Sequence, residues 1–101
     1  MAILNREVVI YDVQEGIDLE VYTNNSSNVT ITTYGAGGSC DFEVSTDDGQ
    51  TFLPRFCVSM SDASTSSTLM GEGHFLTTVM DADKIRVKNV IGFNKIMVSL
   101  G

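Results

Sequence analysis

The residues able to do chemistry are few and scattered. The chain holds one histidine, His74, and a general base needs a nucleophile within reach and a third group to orient it. His74 stands between Gly73 and Phe75 in a strand-like run, with no nucleophile elbow, phosphate loop or paired-histidine zinc motif in the chain. It reads as a structural histidine at a strand end. Asp47-Asp48-Gly49 and Asp81-Ala82-Asp83 bring carboxylates close together, but calcium takes six or more oxygens and neither cluster has the full loop pattern. Aspartate tolerates turn geometry and bonds its own backbone, so both clusters read as turns. Cys40 and Cys57 lie in different expected strands, without two further ligands at zinc-site spacing. They read as buried free thiols, and a disulfide between them requires strands that bring their Cα atoms within about 7 Å. The chain is expected to be no enzyme and to carry no cofactor.

Recognition is better supplied than catalysis. Lys84, Arg86 and Lys88 alternate, so on a strand they share one face. That face is either simply solvated or a patch that docks on an acidic partner. Tyr34 falls opposite Val29 and Ile31 in its run, where it is exposed or packed against a second layer or a neighbour. An exposed tyrosine is also a sugar-stacking group, although there is no tryptophan. Ile3 and Leu4 sit in an apolar N-terminal stretch ahead of the first regular strand, so residues 1–6 read as an arm able to add to a partner's sheet edge. Net charge is −7, from thirteen acidic and six basic side chains. A surface of that sign repels phosphate backbones, which argues against a nucleic-acid partner. No stretch approaches the roughly 20 apolar residues of a membrane span, and the N-terminus lacks the basic-then-apolar pattern of a secretory signal. Asn24, Asn25 and Asn28 match glycosylation signals but read as turn residues.

The elements that must position these groups are strands. Val8–Val13 is β-branched and aromatic, and Gly16 closes it. From Ile17 to Tyr22 apolar and polar residues alternate, which turns Ile17, Leu19 and Val21 inward. Val29–Tyr34 repeats the period, with Val29, Ile31 and Thr33 on one face, and a flexible glycine-rich break follows at Gly35–Ser39. Cys40, Phe42 and Val44 point inward from the next run. Asp48-Gly49 then signals a hairpin, because glycine accepts positive φ, and Thr51–Val58 is the expected return strand. Pro54 cannot donate to a ladder, so that strand lies at an edge or bulges. Ser59–Ser67 reads as a surface loop and Thr68–Met70 as a short strand. His74–Met80, Lys84–Val90 and Lys95–Leu100 complete the set. About eight or nine short strands at this spacing predict an all-β, antiparallel β-sandwich, Ig-like or jelly-roll-like, as a single domain over residues 7–101.

One segment carries a resemblance. Phe42-Glu43-Val44-Ser45-Thr46-Asp47-Asp48-Gly49-Gln50-Thr51-Phe52, followed by a polar loop and the closing pair Lys84–Val90 and Lys95–Leu100, resembles small β-sandwich virion proteins of tailed phages and prophages. The resemblance covers about the last three-fifths of the chain. It implies a virion protein made in a host bacterial cytoplasm, most simply a capsid decoration (cement) protein whose partner is the major capsid protein or another virion protein. It also implies association as a homo-trimer. The alternatives are a tail, baseplate or fibre component, or a carbohydrate- or surface-binding sandwich module.

Overall fold

In the computed structural model, residues 7–14 and 16–101 are described, and they form eleven strands and no helix. These are β1 (Glu7–Asp12), β2 (Leu19–Tyr22), β3 (Asn28–Tyr34), β4 (Ser39–Ser45), β5 (Leu53–Pro54), β6 (Cys57–Ser59), β7 (Thr65–Ser66), β8 (Thr68–Met70), β9 (Gly73–Thr78), β10 (Lys84–Ile91) and β11 (Lys95–Leu100). One sheet has the order β1-β11-β3-β9-β6-β7. The other has the order β2-β10-β4-β5, with β8 also pairing β4. Every pairing is antiparallel. The expected sandwich is the observed architecture, with somewhat more strands because several are only two or three residues long.

The two sheets meet through the positions that alternation assigns inward. Val29, Ile31, Phe75, Ile96, Val98 and Leu100 come from the first sheet; Cys40, Phe42, Val44, Leu69, Ile85 and Val87 come from the second. All are buried. Burial of this apolar surface is the main force holding the layers together, at about 25 cal/mol per Å². Cys40 and Cys57 are free thiols inside this core. Burial pushes each thiol up to about 12, so neither is a ready nucleophile.

Three sequence expectations need correction. Ile17 is exposed and precedes β2. The β2–β10 ladder stops at the Leu19–Val87 pair, and β10 shifts register just beyond, between Lys88 and Ile91. Asn89 takes a positive φ of 53° there. The expected return strand Thr51–Val58 is two strands on different sheets. β5 pairs β4 only through Leu53 and Pro54, and the chain then crosses to the first sheet as β6. Pro54 does stand at an edge, as its missing N–H requires. The Ser59–Ser67 loop contains β7, which pairs β6.

The Asp48-Gly49 turn is present, with φ of 60° and 87°. Ser45 and Asp47 hold it. The Ser45 hydroxyl donates to Asp47 Oδ1 at 2.7 Å and accepts from the Gly49 N–H at 2.9 Å, while Asp47 Oδ1 also accepts from the Thr51 N–H at 2.8 Å. Replacing Gly49 by valine is expected to lower stability by about 1–2 kcal/mol, since a β-branched side chain resists that φ. Its Cβ would also stand 3.1 Å from the Lys84 side chain. Thermal unfolding measures this; an unchanged melting temperature would refute the turn's importance.

Candidate docking face

The two outer faces of the sandwich differ in kind. On the five-stranded sheet the outward side chains form a charged ladder. Registers place Glu20 beside Arg86 and Arg86 beside Glu43 in one row, and Lys88 beside Asp41 in the next. Arg86 Nε and Nη2 donate to Glu43 Oε1 at 2.9 and 2.7 Å, and Lys88 Nζ lies 3.0 Å from Oε2. Lys84 Nζ is 3.8 Å from Glu20 and 4.5 Å from the Tyr22 ring centroid, and the Arg86 guanidinium sits 4.1 Å over Phe52. Asn89, on the bulge, donates to Asp41 Oδ2 at 2.8 Å.

Glu43 is the centre of that ladder and is buried. Burial pushes its carboxyl up, but hydrogen bonds from Arg86 and Lys88, with their charges, outweigh this and hold it below the usual carboxylate range. The basic trio read from the sequence therefore does share a face, and its charges meet acids of the same sheet. A second ion pair lies outside that ladder. Arg55 makes two hydrogen bonds to Asp81, at 2.6 and 2.8 Å, which holds the exposed Asp81 carboxyl down at about 2.

The outer face of the six-stranded sheet is the opposite. Its register aligns Val8, Ser99, Thr30, Leu76, Val58 and Thr65 in one row across the strands. The adjacent row is Ile10, Met97, Thr32 and His74. Neither row holds a formally charged side chain with histidine neutral, in a chain of net charge −7. Ile10 is 61% exposed, Val8 44% and Val58 38%. Between them lies a shallow groove of about 240 Å³ lined by Asn28, Thr30, Thr32, His74, Met97 and Ser99, among others. His74 Nδ1 is 2.9 Å from the Thr32 hydroxyl, so the histidine is tied into the sheet. A third row closes the face with Asp12, Lys95 and Tyr34. Tyr34 is half-buried, and the Lys95 ammonium lies 4.4 Å from its ring centroid.

Tyr34 and the trio Lys84, Arg86 and Lys88 thus stand on opposite faces and form no common site. Ile3 and Leu4 lie outside the described residues. The sequence reading missed Val8, Ile10, Val58, Leu76 and Met97. A signal was available in Val8-Val9-Ile10-Tyr11, which is apolar at consecutive positions and hence on both faces of a strand. Among the described residues no group of three or more His, Cys, Asp or Glu side chains is placed to hold a metal ion.

The class defined by this geometry is a small antiparallel sandwich with one charge-laddered face and one face whose two main rows are uncharged. No family model and no curated protein matches the sequence. Among solved structures, the fold is shared with the SPBc2 prophage-derived protein YomS, at a TM-score of 0.72 and 12% identity, over 99% of this chain and 97% of that one. It is shared equally with the PBSX exported protein XepA, at a TM-score of 0.72 and 14% identity, over 99% of this chain but only 39% of that one.

Proposed function

We propose that this chain is a non-enzymatic structural protein of a phage or prophage, and that it decorates a capsid shell with the major capsid protein as its partner. The observation that carries this is the pair of uncharged rows on the outer face of the six-stranded sheet, set in an otherwise strongly acidic chain. Desolvating charges on binding is costly, so the rows without them dock most cheaply, with the single Asp12–Lys95 row at their margin. The phage assignment draws on the sequence resemblance and on the fold shared with two prophage proteins.

The size of the face sets how such a protein works. Five neighbouring strands at about 4.8 Å spacing make it roughly 20 Å wide, and strands of six residues make it about as long. That is roughly 400 Å² in projection, about half of what one side of a standard interface buries. A single copy held by this face alone binds weakly. A shell offers many adjacent sites, and a ligand that binds the assembly but not free subunits stabilises the assembly by mass action. Trimeric association of the decorating copies would add avidity.

Fractionating phage particles tests the assignment. The protein is expected to co-purify with capsids that lack tails, and capsids stripped of it are expected to break at milder heat or lower salt. Recovery with isolated tails, and not with tail-less capsids, would overturn the shell assignment in favour of a tail or baseplate position.

A further inference from the structure

We infer that β1 is a strand-acceptor edge, which takes up an extended partner segment that is apolar at alternate positions and carries lysine or arginine at its ends. The first ground is the contrast among the sheet edges. The six-stranded sheet ends at its far side in β7, two residues long, and the five-stranded sheet ends in β5, two residues long and containing Pro54. Edges shortened or interrupted by proline are the usual protection against unwanted pairing. β2 is four residues long, with Asp18 just ahead of it and Glu20 within it. β1 has six residues in unbroken register with β11, without proline, lysine, glycine or bulge. Among the described residues no strand pairs with its other side.

The second ground is the direction of its backbone groups. The Val13 N–H donates to the Asn94 carbonyl at 3.1 Å, which continues the β1–β11 register by one pair. In an antiparallel ladder the bonded pairs alternate. Tyr11 and Val9 therefore bond β11, and the N–H and C=O groups of Val8, Ile10 and Asp12 face the open edge. The third ground is what an added strand would touch. On the outer face it would lie beside the exposed Val8 and Ile10; on the inner face it would cover Val9 and Tyr11, which are only partly buried against the core. Its side chains meet apolar surface on both faces.

Charge selects the occupant. Glu7 and Asp12 occupy the end positions of β1 in a chain of net charge −7, and Asp12 is exposed beside Lys95 of β11, so a segment with basic ends is favoured over one with acidic ends. A second copy of this chain fits worse, because it would bring another chain of net charge −7 against this edge. The inference deepens the docking reading above by adding main-chain bonds to a face too small to hold alone. Peptide binding in solution and incorporation into capsids are separate measurements, so either can fail without the other.

The test uses a fluorescent peptide of alternating valine and threonine with lysine at both ends, beside versions with glutamate ends and with a central proline. The lysine-ended peptide is expected to bind about tenfold or more tighter than the glutamate-ended one at low salt, with the gap closing as salt is raised. Its binding should slow amide exchange at Val8, Ile10 and Asp12. Ile10→Lys and Val8→Lys, each shown to be folded by its melting curve, should lose it. Equal binding of the proline peptide, or protection confined to other strands, would overturn the inference. Concentration-dependent dimerisation that protects β1 without any peptide would replace the basic segment with a second copy.

Discussion

Replacing Phe42 by alanine is expected to remove about 3–5 kcal/mol of unfolding free energy. Phe42 is the largest of the side chains with no exposure, and it projects from β4 into the space between the sheets, in register with Val87 on β10. Its neighbours are fixed from both sides. The Phe42 N–H donates to the Ser67 carbonyl at 2.8 Å, and its own carbonyl accepts from the Arg55 N–H at 3.3 Å. The backbone is thus tied to β8's approach and to the β5–β6 crossing, and the cavity has little freedom to collapse. For a domain whose total stability is of the order of 5–15 kcal/mol, a loss of this size removes a large fraction. Urea titration measures it as a lower midpoint with an unchanged slope. A loss below about 1 kcal/mol would show that Phe42 is not at the centre of the core.

The second large effect is expected at Glu43. Glu43→Ala leaves Arg86 and Lys88 adjacent on one strand face without the acid that both bind. Removing one partner of a fully buried pair costs about 3–5 kcal/mol. Here the Arg86 and Lys88 side chains remain 25% and 32% exposed, so water screens part of the repulsion and about 2 kcal/mol is expected. The same residue sets a pH dependence. Its carboxyl is held below the ordinary value of 4.5 in the folded chain, so the unfolded chain binds the proton more readily. The stabilisation is therefore complete above about pH 4.5 and is lost as pH falls from there through the lowered folded value. Asp81, held at about 2 beside Arg55, extends the decline to lower pH. Glu43→Gln is expected to flatten the upper part of this decline. A variant whose stability falls with acid as steeply as the parent's would locate the pH dependence elsewhere.

The layers of this fold were legible because its central strands are cleanly two-sided. Val29 and Ile31, Cys40, Phe42 and Val44, and Ile96, Val98 and Leu100 all point inward as alternation requires. Alternation failed where a ladder stops for a reason held in another strand. Ile17 continues the period of Leu19 and Val21, yet the partner strand β10 bulges at Asn89 and leaves it outside. The glycine-rich stretch at Gly35–Ser39 reads as flexible, but Gly38 is buried, and a Cβ there would stand 2.1 Å from the Phe93 ring. That glycine makes room for a side chain 55 positions away in sequence, which local pattern does not encode. The basic alternation of β10 was visible, whereas its neutralisation depends on the register that sets Glu20 and Glu43 on either side of Arg86. The uncharged face was hidden for the same reason. Its rows run across β1, β11, β3, β9 and β6, so the patch exists only once the strand order is known.

Whether that face is the one that docks can be read from co-sedimentation of labelled protein with tail-less capsids, comparing Val58→Glu with Met70→Glu. Val58 lies in the uncharged row far from the β1 edge, and Met70, at 72% exposure, belongs to the five-stranded sheet. Both sites are open enough to accept glutamate without disturbing the core. The expected result is a fall of about tenfold or more in capsid affinity for Val58→Glu and none for Met70→Glu. Undiminished binding of Val58→Glu, with loss at Met70→Glu, would put the contact on the charged face and contradict the docking face described above.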